Sequence, residues 1–219
     1  LIRRDLHAGG MVLSVVGAAG GVVKSTISVV TALSLARAGK STIIVDADLQ
    51  CGDIHYLMGQ DKAMRIDDVL TSSARLESLV PERDKPTVLA SPRALEHSEA
   101  ASAVLPQIIG ILRQRFDCVV VNTGPTWDDL HMELLALSNS VLFVLDQRPT
   151  AIKLCRHVLD LCARCGIATQ PFVFMLNRCG RGALFSSIDV SCALSGAKAV
   201  EGQDGGKVVE EMLGCGQPY

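Results

Sequence analysis

This chain of 219 residues has few aromatic residues and no excess of basic charge. Its eight aromatic residues, 4% of the chain, are too few for the stacking platforms that bind single-stranded nucleic acids. Its 21 basic residues face 23 acidic ones, for a net charge of −2. Proteins that neutralise a nucleic-acid backbone are usually basic. DNA is therefore not an expected partner.

The apolar content is high, at 48%, and charged residues make up only 20%. That composition excludes a disordered chain, and the length suits one α/β domain with a sizeable core. We expect a single domain over residues 1–219, in which residues 1–10 form a leader or linker. Because the chain begins with Leu1 rather than Met, we also expect it to be a piece of a longer protein.

Two features concern the cellular compartment. Residues 6–23 carry no Asp, Glu, Lys or Arg and follow two arginines, as in a secretory signal, but their five glycines favour a strand that enters a loop. The eight cysteines lie mostly within apolar runs, and a core or helix-surface role for Cys162 and Cys165 stands against a metal or redox role. We expect a cytoplasmic protein, with secretion as the alternative.

Short β-branched runs alternate with helical segments along the whole chain. This alternation predicts an α/β fold of the P-loop NTPase type, with a mostly parallel central sheet and helices on both faces. The predicted strands are 11–16, 41–45, 87–90, 118–121, 141–145, 172–176 and 197–200. The predicted helices are 24–38, 67–70, 75–80, 98–116, 127–137, 150–165, 187–194 and 207–213. Residues 46–60 read as a polar, irregular segment.

The most informative segment is GAAGGVVKST at residues 17–26, between a predicted strand and a predicted helix. A glycine-rich turn at this place can wrap phosphate oxygens with backbone N–H groups, while the helix N-terminus supplies positive potential. Lys24 would reach the β- and γ-phosphates, and Ser25 would offer its hydroxyl to Mg²⁺. A turn that serves packing alone is the alternative. The sequence favours a nucleotide site.

Polar residues also end three other strands. Asp46 and Asp48 follow the second strand, where they face either a metal and water or the following turn. Asn122 and residues 123–125 follow the predicted strand 118–121, and Asn177 follows the predicted strand 172–176. Because parallel strands end at the same edge of a sheet, we expect these groups near the phosphate loop.

At these residues the chain resembles the MinD/ParA branch of P-loop proteins, whose loop reads Gly-Lys-Gly-Gly-x-Gly-Lys-[Thr/Ser]-[Thr/Ser]. Three positions depart: Ala18 replaces the first glycine, Ala19 replaces the lysine that reaches across the dimer, and Val23 replaces the glycine before Lys24. A β-branched residue at position 23 would resist a positive φ angle. Asn122 stands where the family has an aspartate.

The resemblance implies roles for these residues and two cofactors, ATP and Mg²⁺. Asp48 and Lys24 would be catalytic, with Asp48 orienting the attacking water. The metal would be held by Ser25, Asp46 and Asn122. The nucleotide would be bound by Gly20, Gly21, Val22, Val23, Lys24, Ser25, Thr26, Asn177 and Arg178, with Asn177 at the adenine edge.

Within that family the chain is most similar to the CpaE/TadZ subgroup of pilus assembly proteins, through residues 46–53, 75–77 and 89–92. This implies a dimerising switch or localisation factor with weak or absent ATPase activity, with protein partners in a pilus or secretion machine. A receiver-like domain would precede residue 1. Residues 207–213 are not basic enough for direct membrane binding. The alternative function is a nucleotide-free scaffold.

Overall fold

The computed structural model describes residues 9–17, 21–180 and 182–218. Eight strands and eight α-helices alternate along this part of the chain, with short 3-10 helices at Ser73–Ser78 and Leu95–His97. The strands are β1 Met11–Gly17, β2 Thr42–Ala47, β3 Met64–Arg65, β4 Thr87–Ala90, β5 Cys118–Thr123, β6 Ser140–Leu145, β7 Phe172–Cys179 and β8 Ala199–Gln203. The helices are α1 Lys24–Arg37, α2 Ile54–Leu57, α3 Ile66–Thr71, α4 Ser98–Leu112, α5 Asp129–Leu137, α6 Pro149–Arg164, α7 Ser187–Ala193 and α8 Gly206–Gly214.

All eight strands form one parallel sheet in the order β3-β4-β2-β5-β1-β6-β7-β8. The central strands β2 and β5 are buried at every residue. Their β-branched runs suit strands that are covered on both faces. The predicted α/β fold with a parallel sheet is confirmed.

Helices cover the sheet on both faces, since successive side chains of a strand point to opposite sides. In β5, Val119 and Val121 pack with α4 and α5, whereas Val120 packs with α1 and α2 on the other face. A second cluster on the α5 side joins β6 and β7 to α6 and α7, centred on Phe143 and Phe174, whose ring centroids are 5.2 Å apart. The hydrophobic core is therefore divided between the two faces of the sheet.

The CxxC pair lies in and just after α6. Cys162 is fully buried, and so is Cys155 on the same face of the helix about two turns earlier. Cys165 is exposed at the end of the helix. Desolvation by burial raises the pKa of the Cys155 thiol to about 12 and that of the Cys162 thiol to about 11. Such thiols are unreactive at neutral pH, which agrees with the core interpretation.

The segment 46–60 contains more regular structure than its sequence indicates. Residues 54–57 form the one-turn helix α2, and the two-residue strand β3 follows at the sheet edge. Both are too short to produce a hydrophobic period that could be read from the sequence. Their position matters because α2 lies beside α1 and brings the 48–53 loop over the carboxyl end of β2.

Candidate functional site: a phosphate loop and an adjoining apolar pocket

The predicted phosphate loop lies between β1 and α1, and the structure describes its last residues. Residues 18–20 lie outside the described residues, so the predictions for Gly20, Ala18 and Ala19 cannot be placed. Gly21 has a φ of 78°, Val22 is buried, and Val23 has φ 68° and ψ 36° in the left-handed region. The turn then opens α1, whose first N–H groups have no helical partner. Val23 thus adopts the conformation that its branched side chain resists.

Lys24 begins α1 and folds back along the phosphate loop. A Cβ on Gly17 would come within 2.7 Å of the Lys24 Cδ, so only glycine at position 17 lets the lysine stem lie against the end of β1. Burial lowers the pKa of Lys24, and the nearby carboxylates of Asp48 and Asp53 oppose this shift. Ser25, with Thr26, follows in the first turn of the helix. The Lys24 side chain therefore lies against the end of β1, and its phosphate-binding role stays a prediction.

Asp46 and Asp48 occupy different environments at the end of β2. The Asp46 carboxylate is fully buried and accepts hydrogen bonds from the backbone N–H of Ile54 at 3.1 Å and of Asp48 at 3.3 Å. Burial is the main cause that raises its pKa to about 7. Asp48 is half-buried, accepts from the N–H of Cys51 at 3.1 Å and lies beside the Gly124 backbone. Asp48 therefore remains next to the loop that ends β5.

Asn122 lies beside Asp46, because β5 and β2 pair in register at these two residues. Its Nδ2 donates to Asp46 Oδ1 at 3.0 Å, and its Oδ1 accepts from the Ser28 hydroxyl at 3.0 Å. Asn122 is 1% exposed, and Ser28 and Asp46 are fully buried. Since a carboxylate only accepts, the amide NH₂ group must face Asp46. Both ends of the amide are therefore committed within the protein.

The loop after β5 is held from α5. His131 is buried, with Nδ1 3.1 Å from Asp128 Oδ1 and Nε2 3.2 Å from the carbonyl oxygen of Gly124. Asp128 also caps α5 by accepting from the His131 backbone N–H at 3.0 Å. The buried contact of His131 with this loop was not predicted from the sequence. The Asp128 to His131 spacing was the available signal.

An apolar pocket of about 350 Å³ adjoins the start of α1 and the end of β7. Asn177 lines it and donates from Nδ2 to the carbonyl oxygen of Val22 at 3.4 Å. Arg178 follows at φ 58°, where the pairing of β7 with β8 is irregular. Such a bulge redirects side chains at the end of a strand. The remaining lining residues are Val23, Thr26, Ile27, Val30, Thr31, Leu142, Met175, Gly202, Gln203, Asp204, Gly205, Gly206 and Val209.

The pocket fits a nucleobase in size and chemistry. Small-molecule sites occupy roughly 300–1,000 Å³ and combine apolar walls with a few polar groups. One of the polar groups here is Asn177, which also contacts the backbone carbonyl of Val22. The contribution of residues 202–209 was not predicted from the sequence. Gly202, Gly205 and Gly206 were the only available signal.

The predicted metal set fits a divalent cation poorly. Asp46 already accepts three N–H groups, and the Asn122 oxygen accepts the Ser28 hydroxyl. Within the described residues, no group of three or more His, Cys, Asp or Glu side chains is arranged to hold a metal ion. The metal role of Ser25, Asp46 and Asn122 stays a prediction that these contacts do not favour.

Comparison with known proteins agrees with this geometry. A family model described as an AAA domain matches residues 10–165. The antiactivator FleN of Pseudomonas aeruginosa is 27% identical over 146 residues, which cover 64% of this chain and 52% of that protein. The chromosome-partitioning ATPase Soj of Treponema pallidum is 26% identical over 145 residues, covering 62% of this chain and 57% of Soj. The chain thus spans about half the length of these relatives.

Solved structures show the same fold. A ParA family ATPase from Chlorobium tepidum superposes with a TM-score of 0.81 at 21% identity, covering 95% of this chain and 90% of that one. The septum site-determining protein MinD of Pyrococcus horikoshii, complexed with Mg-ADP, gives 0.78 at 21% identity, covering 95% and 87%. No helix in the described ranges is long and apolar enough to cross a membrane. The chain belongs to the MinD/ParA-type family of P-loop ATPases, within the AAA domain family.

Proposed function

We propose that this chain is an ATP-binding switch that dimerises and recruits protein partners, with weak or absent ATPase activity. The observation that carries the proposal is the pairing of two sites: the anion-binding turn before Lys24 and the apolar pocket at Asn177. They share the Val22 and Val23 backbone, so one molecule with a phosphate chain and a base can occupy both.

Slow hydrolysis follows from missing charge. Removing one group that stabilises developing charge in a transition state typically lowers the rate by about 10²–10³. Asn122 supplies no charge where the family has a carboxylate, and Ala19 supplies none where the family has a lysine. A switch needs no fast turnover, because a ligand only has to favour one state over another.

The relatives suggest the kind of process. FleN is an antiactivator, Soj is a chromosome-partitioning ATPase and MinD determines the septum site, so related proteins regulate or position cell components. The similarity to the CpaE/TadZ subgroup supports a cytoplasmic localisation factor for a pilus machine, working as a homodimer. The test of this part is co-purification with pilus assembly components in the presence of ATP but not of ADP.

A nucleotide-free scaffold is the second candidate, supported by the strained Val23 and the uncharged Asn122. Titration calorimetry with ATP separates the two. We expect wild-type protein to bind ATP, and Lys24→Ala to lose at least about tenfold in affinity, since a charged hydrogen bond contributes roughly 1.5–3 kcal/mol. Lys40→Ala, in the exposed connection between α1 and β2, is the matched control and should bind as wild type. No heat of ATP binding to folded wild-type protein would favour the scaffold.

A further inference from the structure

The buried polar chain Ser28–Asn122–Asp46 uses the groups that a metal would need. Asn122 donates to Asp46 and accepts from Ser28, each at 3.0 Å, and all three residues are buried. Asp46 accepts two further backbone N–H groups from the 48–54 loop. A cation that entered here would have to displace hydrogen bonds that hold β2, β5 and α1 together.

The negative charge around Asn122 is also too small to bind a divalent cation tightly. Mg²⁺ is usually held by one or two carboxylates together with substrate phosphates. Asn122 provides no charge, and Asp46 is enclosed by N–H donors. The carboxylates of Asp48 and Asp53 lie near the Lys24 ammonium, which they attract. The buried Asp46 carboxylate is therefore not free to hold an ion beside Asn122.

The positive groups that can meet a phosphate chain do not depend on a metal. They are the ammonium of Lys24 and the free N–H groups at the start of the 14-residue helix α1. Resting on the proposed function, we propose that this chain binds ATP almost independently of Mg²⁺, because Asn122 ties up Asp46 and contributes no charge of its own.

The test compares ATP affinity in excess MgCl₂ and in excess EDTA, by calorimetry on the wild-type chain. We expect the two dissociation constants to differ by less than about tenfold, because the enclosed Asp46 carboxylate and the neutral Asn122 would attract the ion only weakly. Tight binding in MgCl₂ that disappears in EDTA overturns this inference and leaves the proposed function standing. Absence of binding in both buffers overturns both.

Asn122→Asp tests the cause. A second carboxylate about 3 Å from Asp46 repels it, and Mg²⁺ relieves that repulsion. We expect the variant to show at least about tenfold stronger ATP binding in MgCl₂ than in EDTA, and a rise in melting temperature on adding MgCl₂ alone. Asn139→Asp is the matched control, because Asn139 Oδ1 accepts from Val12 N–H and a carboxylate can do the same. An equal Mg²⁺ response in both variants would contradict the role of Asn122.

Discussion

The residue before Lys24 offers a sharp test of the phosphate loop. Val23 is held at φ 68° and ψ 36°, in the left-handed region. For an L-residue this conformation costs roughly 1–2 kcal/mol relative to the right-handed one, because Cβ approaches the following carbonyl oxygen. Val23→Ala and Val23→Gly remove the same two methyl groups. Only the glycine variant also removes the Cβ that causes the strain.

The expected difference follows from two opposing effects. Relief of strain favours the glycine variant by about 1–2 kcal/mol, while the greater freedom of glycine in the unfolded chain opposes it by about 0.5–1 kcal/mol. The free energy of unfolding should therefore be about 0.5–1 kcal/mol higher for Val23→Gly than for Val23→Ala. For a chain of this size, each kcal/mol of unfolding free energy shifts the melting temperature by about 2–4 °C.

Val30 provides the matched control in the interior of the same helix. Its side chain is 47% exposed, and position 30 has ordinary right-handed helical geometry. There Val30→Ala should be the more stable variant, by about 1 kcal/mol over Val30→Gly. Urea denaturation of the four variants at one pH measures both differences. If alanine is also the more stable residue at position 23, the turn is not held in the left-handed conformation and the anion-binding loop is wrong.

Three further predictions concern Asp46 near the end of β2, the pocket at Asn177 and the hydrophobic core. Burial raises the pKa of Asp46 from 3.8 to about 7, so the folded chain binds a proton that the unfolded chain releases. Without nucleotide or metal, the free energy of unfolding should fall by up to about 4 kcal/mol between pH 4 and 7, and urea melts of Asp46→Asn should lack this fall. Asn177→Ala should weaken ATP about 3- to 10-fold in calorimetry but leave inorganic triphosphate unchanged, since that probe has no base. Phe143→Ala should lower the free energy of unfolding by about 3–5 kcal/mol, whereas Phe143→Leu should lower it by less than about 1.5.

The fold was accessible from the sequence because its signals are local. Runs such as the valines of β5 are long, β-branched and bounded by turns, so strand and helix order could be read directly. Parallel pairing then follows from the alternation of strands with helices. The one-turn helix α2 and the two-residue β3 escaped prediction because they depend on contacts with α1, α8 and β4 rather than on a pattern of their own.

The site was predictable only where one segment carries the chemistry. The loop before Lys24 has a local motif, whereas the pocket at Asn177 is completed by residues 202–209 from a later strand and helix. The Asn122 contacts show the same limit. The sequence shows an amide where a carboxylate is expected, but not that this amide bridges Asp46 and Ser28, which are distant from it in sequence. Gly52 is similar, since only the fold shows that a Cβ there would lie 2.4 Å from Asp46 Oδ2.

Two departures from the family motif act in physically different ways. Val23 keeps the backbone shape of the loop at a cost in strain, so it changes stability more than charge. Asn122 keeps a hydrogen bond to Asp46 without strain, so it changes charge more than shape. Binding depends mainly on shape and on N–H groups, whereas phosphoryl transfer depends on charge that stabilises the transition state. A chain with both changes should therefore retain nucleotide binding and lose hydrolysis, and the double variant Val23→Gly, Asn122→Asp should lose the backbone strain through the first change and gain a metal response through the second.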